Sequence, residues 1–525
     1  MKHRPLHRLM FSAMVTLGIV SSLPCRTEAA SRPQQFVPDF KVRPDDYTVL
    51  TACVGKHPAG SKPVCLDHRQ LQLRDWKPGS ENSWEVEVLE PGDYAVNVLF
   101  NHSVKFPLKV EVSGGSSRVS SASTRETVLV NFLDPDGQKR QAPSAPQSWR
   151  RLPLAGELRL PKGKMNLVLT ITGAEGQKEG AIELLSIELV RTDVKERLRK
   201  SAAAFRAPAD TQWFRNAKYG LMVHWTSTVY PRQGTRLPYQ EAVRRFRLND
   251  LVEQLVDTGA GFLTFTTSHE QMFIPAPIKS LDAVLPGRTC ERDLIQEMAD
   301  ALNQRGLKLF LYYHLGCNSD AQWQQASGFW ETDTTRFWSN WCAVIGEMGG
   351  RYDGKLAGWW FDDGTANYYY RSAPWETLAK AAIQGNPNRL VGFNPWILPL
   401  ATEFQNCFLG EAQSDPTVKG TLKPGDNGII SSGMYKGLQA SAALVMEADW
   451  GHWKKDTEIA PPKQTPEQLA ELVRRFIALG NVPMLNCEIY QDGTLSPKTV
   501  EVLKGMKDLL AKSETFSPEK KAVNR

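Results

Sequence analysis

Two rhythms of apolar and polar residues divide the chain, and the change falls near Trp213. In the first, apolar residues alternate with polar ones: Trp84, Val86 and Val88, then Tyr94, Val96, Val98 and Phe100, then Phe106, Leu108, Val110 and Val112. Pro91-Gly92-Asp93 and Pro161-Lys162-Gly163 mark turns. Leu158 and Leu160 precede the second turn and Leu167 and Leu169 follow it, and Ile182, Leu184, Ile187 and Leu189 close the series. A period of two over short runs bounded by turn residues predicts half-buried strands. Spread over residues 35–193, these runs predict a β-sandwich.

A polar stretch with helical spacing, Asp193 to Ala204, begins the linker expected over residues 194–212. From Trp213 onward, continuous apolar runs alternate with amphipathic stretches. The runs are Tyr219–Trp225, Gly261–Thr267, Leu307–Tyr313, Leu356–Phe361, Leu390–Phe393, Cys407–Leu409, Ala443–Met446 and Val482–Leu485. Helical spacing fills Leu251–Thr258, Arg292–Arg305, Thr335–Met348 and Trp375–Gln384. Strands buried on both faces and separated by helices predict a parallel sheet, and eight of them over residues 213–512 predict closure into a (β/α)8-type TIM barrel. The expected fold class is therefore α/β, a barrel preceded by an all-β sandwich. A polar tail follows over residues 513–525.

Composition changes this picture at the N-terminus. Lys2, Arg4 and Arg8 precede an apolar run from Leu9 to Pro24, and small residues around Ala29-Ala30 offer a cleavage site. That is the pattern of a signal peptide over residues 1–30. The run is short for a membrane span, so a secreted or periplasmic protein without a membrane anchor is expected. Half of the formal charge of +6 sits in this leader (Lys2, Arg4, Arg8 and Arg26 against Glu28). The rest is near neutral with no basic stripe, which excludes a nucleic-acid reader. The cysteines are scattered without metal-ligand spacing. No metal or cofactor is expected, because phosphate-loop, dinucleotide and zinc-protease motifs are all missing.

In such barrels the chemistry sits where strands end. The residues that close the eight apolar runs are His224, His269, His314, Asp362 with Asp363, Asn394, Glu411, Glu447 and Asn486. Aromatics stand beside several of them, including Trp225, Tyr313, Trp360, Trp396 and Trp450. Imidazoles and amides bind hydroxyls, aromatic faces cover the apolar patches of a sugar ring, and paired carboxylates cleave glycosidic bonds.

Several stretches also resemble one family in the correct order. Trp213-Phe214-Arg215-Asn216-Ala217-Lys218-Tyr219-Gly220-Leu221-Met222-Val223-His224-Trp225 is similar to the opening strand of glycoside hydrolase family 29, the α-L-fucosidases. Arg292-Asp293-Leu294 with Gly306 to Tyr313, the strand Gly358-Trp359-Trp360-Phe361-Asp362, and Leu485-Asn486 before Asp492-Gly493 resemble its later units. The resemblance implies a retaining glycosidase acting on fucosylated oligosaccharide or polysaccharide. It places the nucleophile on Asp362 and the acid/base on Glu411, with Glu447 as the rival for the second role. His224, Trp225, His269, Tyr313, Trp360, Asn394 and Glu447 are the expected sugar contacts. The N-terminal sandwich resembles the jelly-roll carbohydrate-binding modules attached to glycosidases.

The chain also departs from the family. The family's second strand ends in Lys-His-His-Asp-Gly-Phe, where this chain has Ser268-His269-Glu270-Gln271-Met272-Phe273. The loop after the first strand carries Leu237-Pro238-Tyr239-Gln240-Glu241 and lacks the family's Glu-Trp pair. Those positions hold sugar hydroxyls in the family. Two alternatives follow: a glycosidase for a different terminal sugar, and a catalytically impaired sugar-binding protein on the same scaffold.

Overall fold

The structure, a computed structural model, describes residues 39–515 apart from 67–69, 103–105, 124–128, 134–138, 144–149, 174–181, 318, 364–367, 396–401, 412–421 and 433–434. The predicted leader, Trp396 and residues 516–525 of the predicted tail lie outside the described residues.

The N-terminal region is a pair of facing sheets. One has five strands in the order Lys41–Val42, Glu81–Val88, Gly163–Thr172, Leu108–Gly114 and Ser117–Ser123. The other is built around Gly92–His102, Ile182–Arg191 and Gln70–Trp76. Trp84, Val86 and Val88 meet Val96, Val98, Ile187 and Leu189 between them. Glu81–Val88 alternates buried and open positions, as a strand with one wet face should. Ile182 to Val190 is buried throughout. Its second face is covered too: Val49, Leu71, Leu99 and Leu185 pack on Tyr369 and Tyr370 of the barrel domain.

The segment expected as a linker is mostly helix. Helix α1 (Thr192–Arg206) starts directly after the last sandwich strand and buries Val194, Leu198, Ala202 and Phe205. That stripe, at spacings of three and four, packs into the barrel's outer core.

Eight parallel strands follow: β1 (Gly220–Val223), β2 (Phe262–Ser268), β3 (Lys308–His314), β4 (Leu356–Asp362), β5 (Leu390–Phe393), β6 (Cys407–Glu411), β7 (Gln439–Val445) and β8 (Val482–Cys487). β8 pairs back to β1, with Met222 opposite Asn486. Between β5 and β6 the seam is closed by Asn406. Its backbone N–H donates to the Val391 carbonyl at 3.0 Å, and its side-chain oxygen accepts from Val391 N–H at 2.7 Å. Around the strands run α2 (Leu248–Thr258), α3 (Leu294–Gln304), α4 (Thr335–Tyr352), α5 (Trp375–Ala382), α6 (Pro466–Ala478) and α7 (Pro497–Thr515). Two of them begin at side-chain caps. Asp293 caps α3, and Thr465 and Gln468 form a reciprocal capping box at α6 with Pro466 in its first turn.

The barrel interior is solid. Phe214, Met222, Phe262, Phe310, Trp360, Leu409 and Met484 fill it. Gly358 and Gly392 make room for Phe310 and Leu409, whose side chains occupy the space a Cβ would take. The polar strand-end residues form a layer above this floor, at the C-terminal ends of the strands.

Candidate active site

Alternation along each strand decides which side chains reach that layer. On β4, Gly358, Trp360 and Asp362 point inward, and Trp359 and Phe361 join the helix-facing core. On β3 the inward set is Phe310, Tyr312 and His314, with Tyr312 beside Trp360 and His314 beside Asp362 in register.

Asp362 is held from two sides. Tyr312 donates its hydroxyl to Oδ2 at 2.5 Å, and the Asn394 amide donates to Oδ1 at 2.9 Å. The same Asn394 nitrogen donates to Oε1 of Glu411 at 3.1 Å. One oxygen of each carboxylate thus lies within about 6 Å of the other, the spacing class of paired carboxylates that work on one bond. Both carboxylates are half-buried and Asn394 is buried. Burial, with the charge of Asp362 next, drives the Tyr312 hydroxyl well above its ordinary range, so Tyr312 stays a donor.

Three imidazoles line the other side. His224 is buried, and its Nδ1 lies 2.8 Å from Oδ1 of Asn486. The Asn486 amide nitrogen donates to the Trp450 carbonyl at 2.9 Å, which fixes the amide so that Oδ1 accepts from His224. Nε2 of His224 is then an acceptor. Burial lowers this imidazole to about 4, against the raising effects of Asn486 and Asp362, so it is neutral at pH 7. His269 is pushed well below its ordinary value by burial and by the neighbouring His314 and His224. Its ring stacks on Tyr312 at 5.9 Å and on Trp453 at 6.4 Å. His314 accepts from Cys317 N–H through Nδ1, which leaves the proton on Nε2, 3.7 Å from Asp363. Asp363 reaches it because its φ of 82° turns the chain aside directly after Asp362. Trp450 lies edge-on to His224, completing a wall of aromatic and imidazole rings.

Among the described residues, no group of three His, Cys, Asp or Glu side chains is arranged to hold a metal ion. No described helix is long and apolar enough to cross a membrane.

Residues 237–514 match the family model described as Alpha-L-fucosidase, which is more than half of the chain. The chain belongs to the alpha-L-fucosidase family. It is a glycoside hydrolase, α-L-fucosidase-like in its barrel. Similar solved structures include the α-L-fucosidase AlfC of Lactobacillus casei in complex with its α-L-fucose product, at 18% identity and a TM-score of 0.43 over 58% of this chain and 98% of that one. Isoenzyme 1 from Paenibacillus thiaminolyticus has 18% identity and a TM-score of 0.44 over 59% of this chain and 77% of that one. The Thermotoga maritima α-fucosidase has 18% and 0.41 over 59% and 76%. No curated protein matches the chain.

Of the residues expected in the site, this α-L-fucosidase family member brings together His224, His269, Asp362, Asn394 and Glu411. Trp360 forms the floor under them, fully buried. Three others lie elsewhere. Trp225 follows the inward His224 by one residue and so faces the helices, where it packs on Tyr239, Phe246 and Phe265 and donates to the Gln491 carbonyl. Tyr313 is likewise one residue out of phase. It packs on Trp341 and Phe361 in the outer core, and Tyr312 takes the inward place. Glu447 stands two residues past the end of β7. Both of its oxygens are committed, one to the Thr499 hydroxyl at 2.6 Å and one to Glu488 N–H at 3.0 Å. Burial pushes its carboxyl up to about 7.

Tyr312 and Trp453 carry no sequence mark of their own. The usable signal for Tyr312 was His314 at the strand end, since a residue two earlier shares its face.

Proposed function

We propose that this enzyme is a retaining exo-glycosidase that hydrolyses terminal α-L-fucosyl or closely related residues by double displacement. The observation that carries the proposal is the Asn394 amide shared between Asp362 and Glu411. In a retaining site the carboxyl groups stand about 5–5.5 Å apart, and the bridge is compatible with that spacing.

Asp362, oriented by the Tyr312 and Asn394 donors, attacks the anomeric carbon. Glu411 gives its proton to the departing glycosidic oxygen, and a glycosyl ester forms on Asp362. Glu411, now a carboxylate, takes a proton from water, whose oxygen attacks the same carbon and restores Asp362. Neutral His224 accepts a sugar hydroxyl at Nε2. His269, Trp450 and Trp453 supply further polar edges and ring faces. The leader-like sequence at residues 1–30 supports action outside the cytoplasm, on fucosylated glycans.

A different terminal sugar is the second reading, and one contact favours it. Gln271, in the stretch that departs from the family, spends its Oε1 on the Ser227 hydroxyl at 2.7 Å, while Glu270 is exposed. The hydroxyl contacts of this corner therefore differ from those of the family's Lys-His-His-Asp motif.

The test is aryl α-L-fucoside hydrolysis by the wild type and Asp362→Asn, with azide added to Asp362→Gly. Loss of turnover in the first variant and a glycosyl azide from the second are expected. A wild type silent on fucosides and on a wider aryl-glycoside panel, or an Asp362→Asn variant with full turnover, would refute the proposal.

A further inference from the structure

Away from the catalytic layer, where the sandwich meets the barrel domain, lies a cavity of about 230 Å³. Sandwich residues Tyr47, Asn97, Arg151 and Glu188 line one side. Tyr369 and Trp375, from the loop that follows Asp362 and the helix after it, line the other. Lys195 and Arg199, a turn apart on the exposed face of α1, also border it.

Its chemistry narrows the occupant. Cations (Arg151, Lys195, Arg199) and carboxyl groups (Asp46, Glu188, Glu403) are equal in number, so the lining offers no net attraction to an ion of either sign. The buried Glu188 is already matched, taking Arg151 at 2.8 Å and Asn97 at 2.9 Å. These pre-set groups leave a polar rim around the aromatic bodies of Tyr47, Tyr369 and Trp375. The Tyr369 hydroxyl is pinned to Ser186 at 2.7 Å, which keeps that wall rigid. Fixed donors and acceptors of both kinds, beside the half-buried Tyr47 ring, match a ligand with many neutral hydroxyls and an apolar ring face.

We propose that the sandwich–barrel junction is a second saccharide site, taking a neutral mono- or disaccharide unit apart from the catalytic pocket. The proposal rests on the reading that this protein works on glycans. Its location adds a consequence: an occupant would touch Tyr369, which follows Asp362 closely in the chain.

The full chain is crystallised and soaked separately with lactose, L-fucose and inorganic phosphate, and binding of each is titrated by calorimetry. Lactose or fucose is expected at the junction, in density separate from the catalytic pocket, and phosphate is not. Lys195→Trp, which plugs the rim from an exposed helix face, and Tyr47→Ala should each weaken that site by at least about tenfold. Both should keep wild-type aryl-fucoside turnover, and Lys195→Trp should also keep the thermal midpoint. Sugar absent from the junction, phosphate bound there, or both variants binding like wild type would overturn the proposal. Failure of the hydrolase reading shows separately, as absent aglycone release, whatever the density at the junction.

Discussion

The Tyr312 hydroxyl sits 2.5 Å from Oδ2 of Asp362, and nothing but the phase of one strand separates it from its neighbour Tyr313, whose ring lies in the outer core. Tyr312→Phe removes one donor to the proposed nucleophile, and a hydrogen bond to a charged group is worth about 1.5–3 kcal/mol. We expect kcat on an aryl α-L-fucoside to fall by about 10- to 150-fold with little change in KM. Tyr313→Phe should stay within about threefold of wild type, because its hydroxyl makes no contact with the site. Steady-state kinetics on the two variants gives the comparison, and equal losses would contradict the assigned phase.

Asn394 is a neutral spacer between two acids. Asn394→Asp would put a third carboxylate there, and like charge disfavours ionisation of both neighbours. Both limbs of the pH–rate profile should move to higher pH, with kcat reduced. Asn394→Ala should lower kcat without moving the limbs in that direction. An unshifted profile for the aspartate variant would show that one of the two carboxylates does not titrate in the rate.

Glu447 and His224 give pH dependences of opposite sign. Glu447 has a folded value of about 7 against an ordinary 4.5, so the folded protein keeps a proton that the unfolded chain has lost. Its contribution is present below pH 4.5 and is lost as pH rises through 7. Glu447→Gln, whose amide can accept from Glu488 N–H and donate to Thr499, should exceed wild type at pH 8 by a few kcal/mol and match it near pH 4. Urea midpoints across that range measure the difference.

His224 is depressed to about 4 from an ordinary 6.5, so here the unfolded chain takes up the proton first. Its contribution is present above pH 6.5 and is lost as pH falls toward 4, at up to about 1.4 kcal/mol per pH unit. His224→Phe should flatten this acid limb. The wild-type curve contains both groups in one window, so the two single variants, compared with it by urea unfolding, separate them.

The eight strands were legible because each barrel strand is buried on both faces and reads as an unbroken apolar run that stops at a polar residue. Seven of those stops, His224, His269, His314, Asp362, Asn394, Glu411 and Asn486, do converge. The same continuity hid the phase: inside Leu307–Tyr313 no polar alternation separates Tyr312 from Tyr313, and only counting back two from His314 does so; Trp225, one past His224, is out of phase in the same way. Glu447 failed for another reason. Strand β7 ends at Val445, and the partner that claims Glu447 is Thr499 on α7, a contact between distant segments that no local pattern announces. In the sandwich, Glu183, Ser186 and Glu188 interrupt Ile182–Val190, so the sequence pointed to one wet face; the strand is buried on both because the barrel supplies a second cover.

That second cover makes the two halves poor candidates for cutting and pasting. The sheet face bearing Val49, Leu71, Leu99 and Leu185 is finished only by Tyr369 and Tyr370, and Arg43 reaches across to the Ser372 carbonyl at 2.7 Å. Severed at Arg191, the front piece would carry a sticky greasy patch, and the rear piece would lose the backing of the loop that leaves Asp362. Anyone transplanting this barrel into another protein should expect to bring its N-terminal companion along.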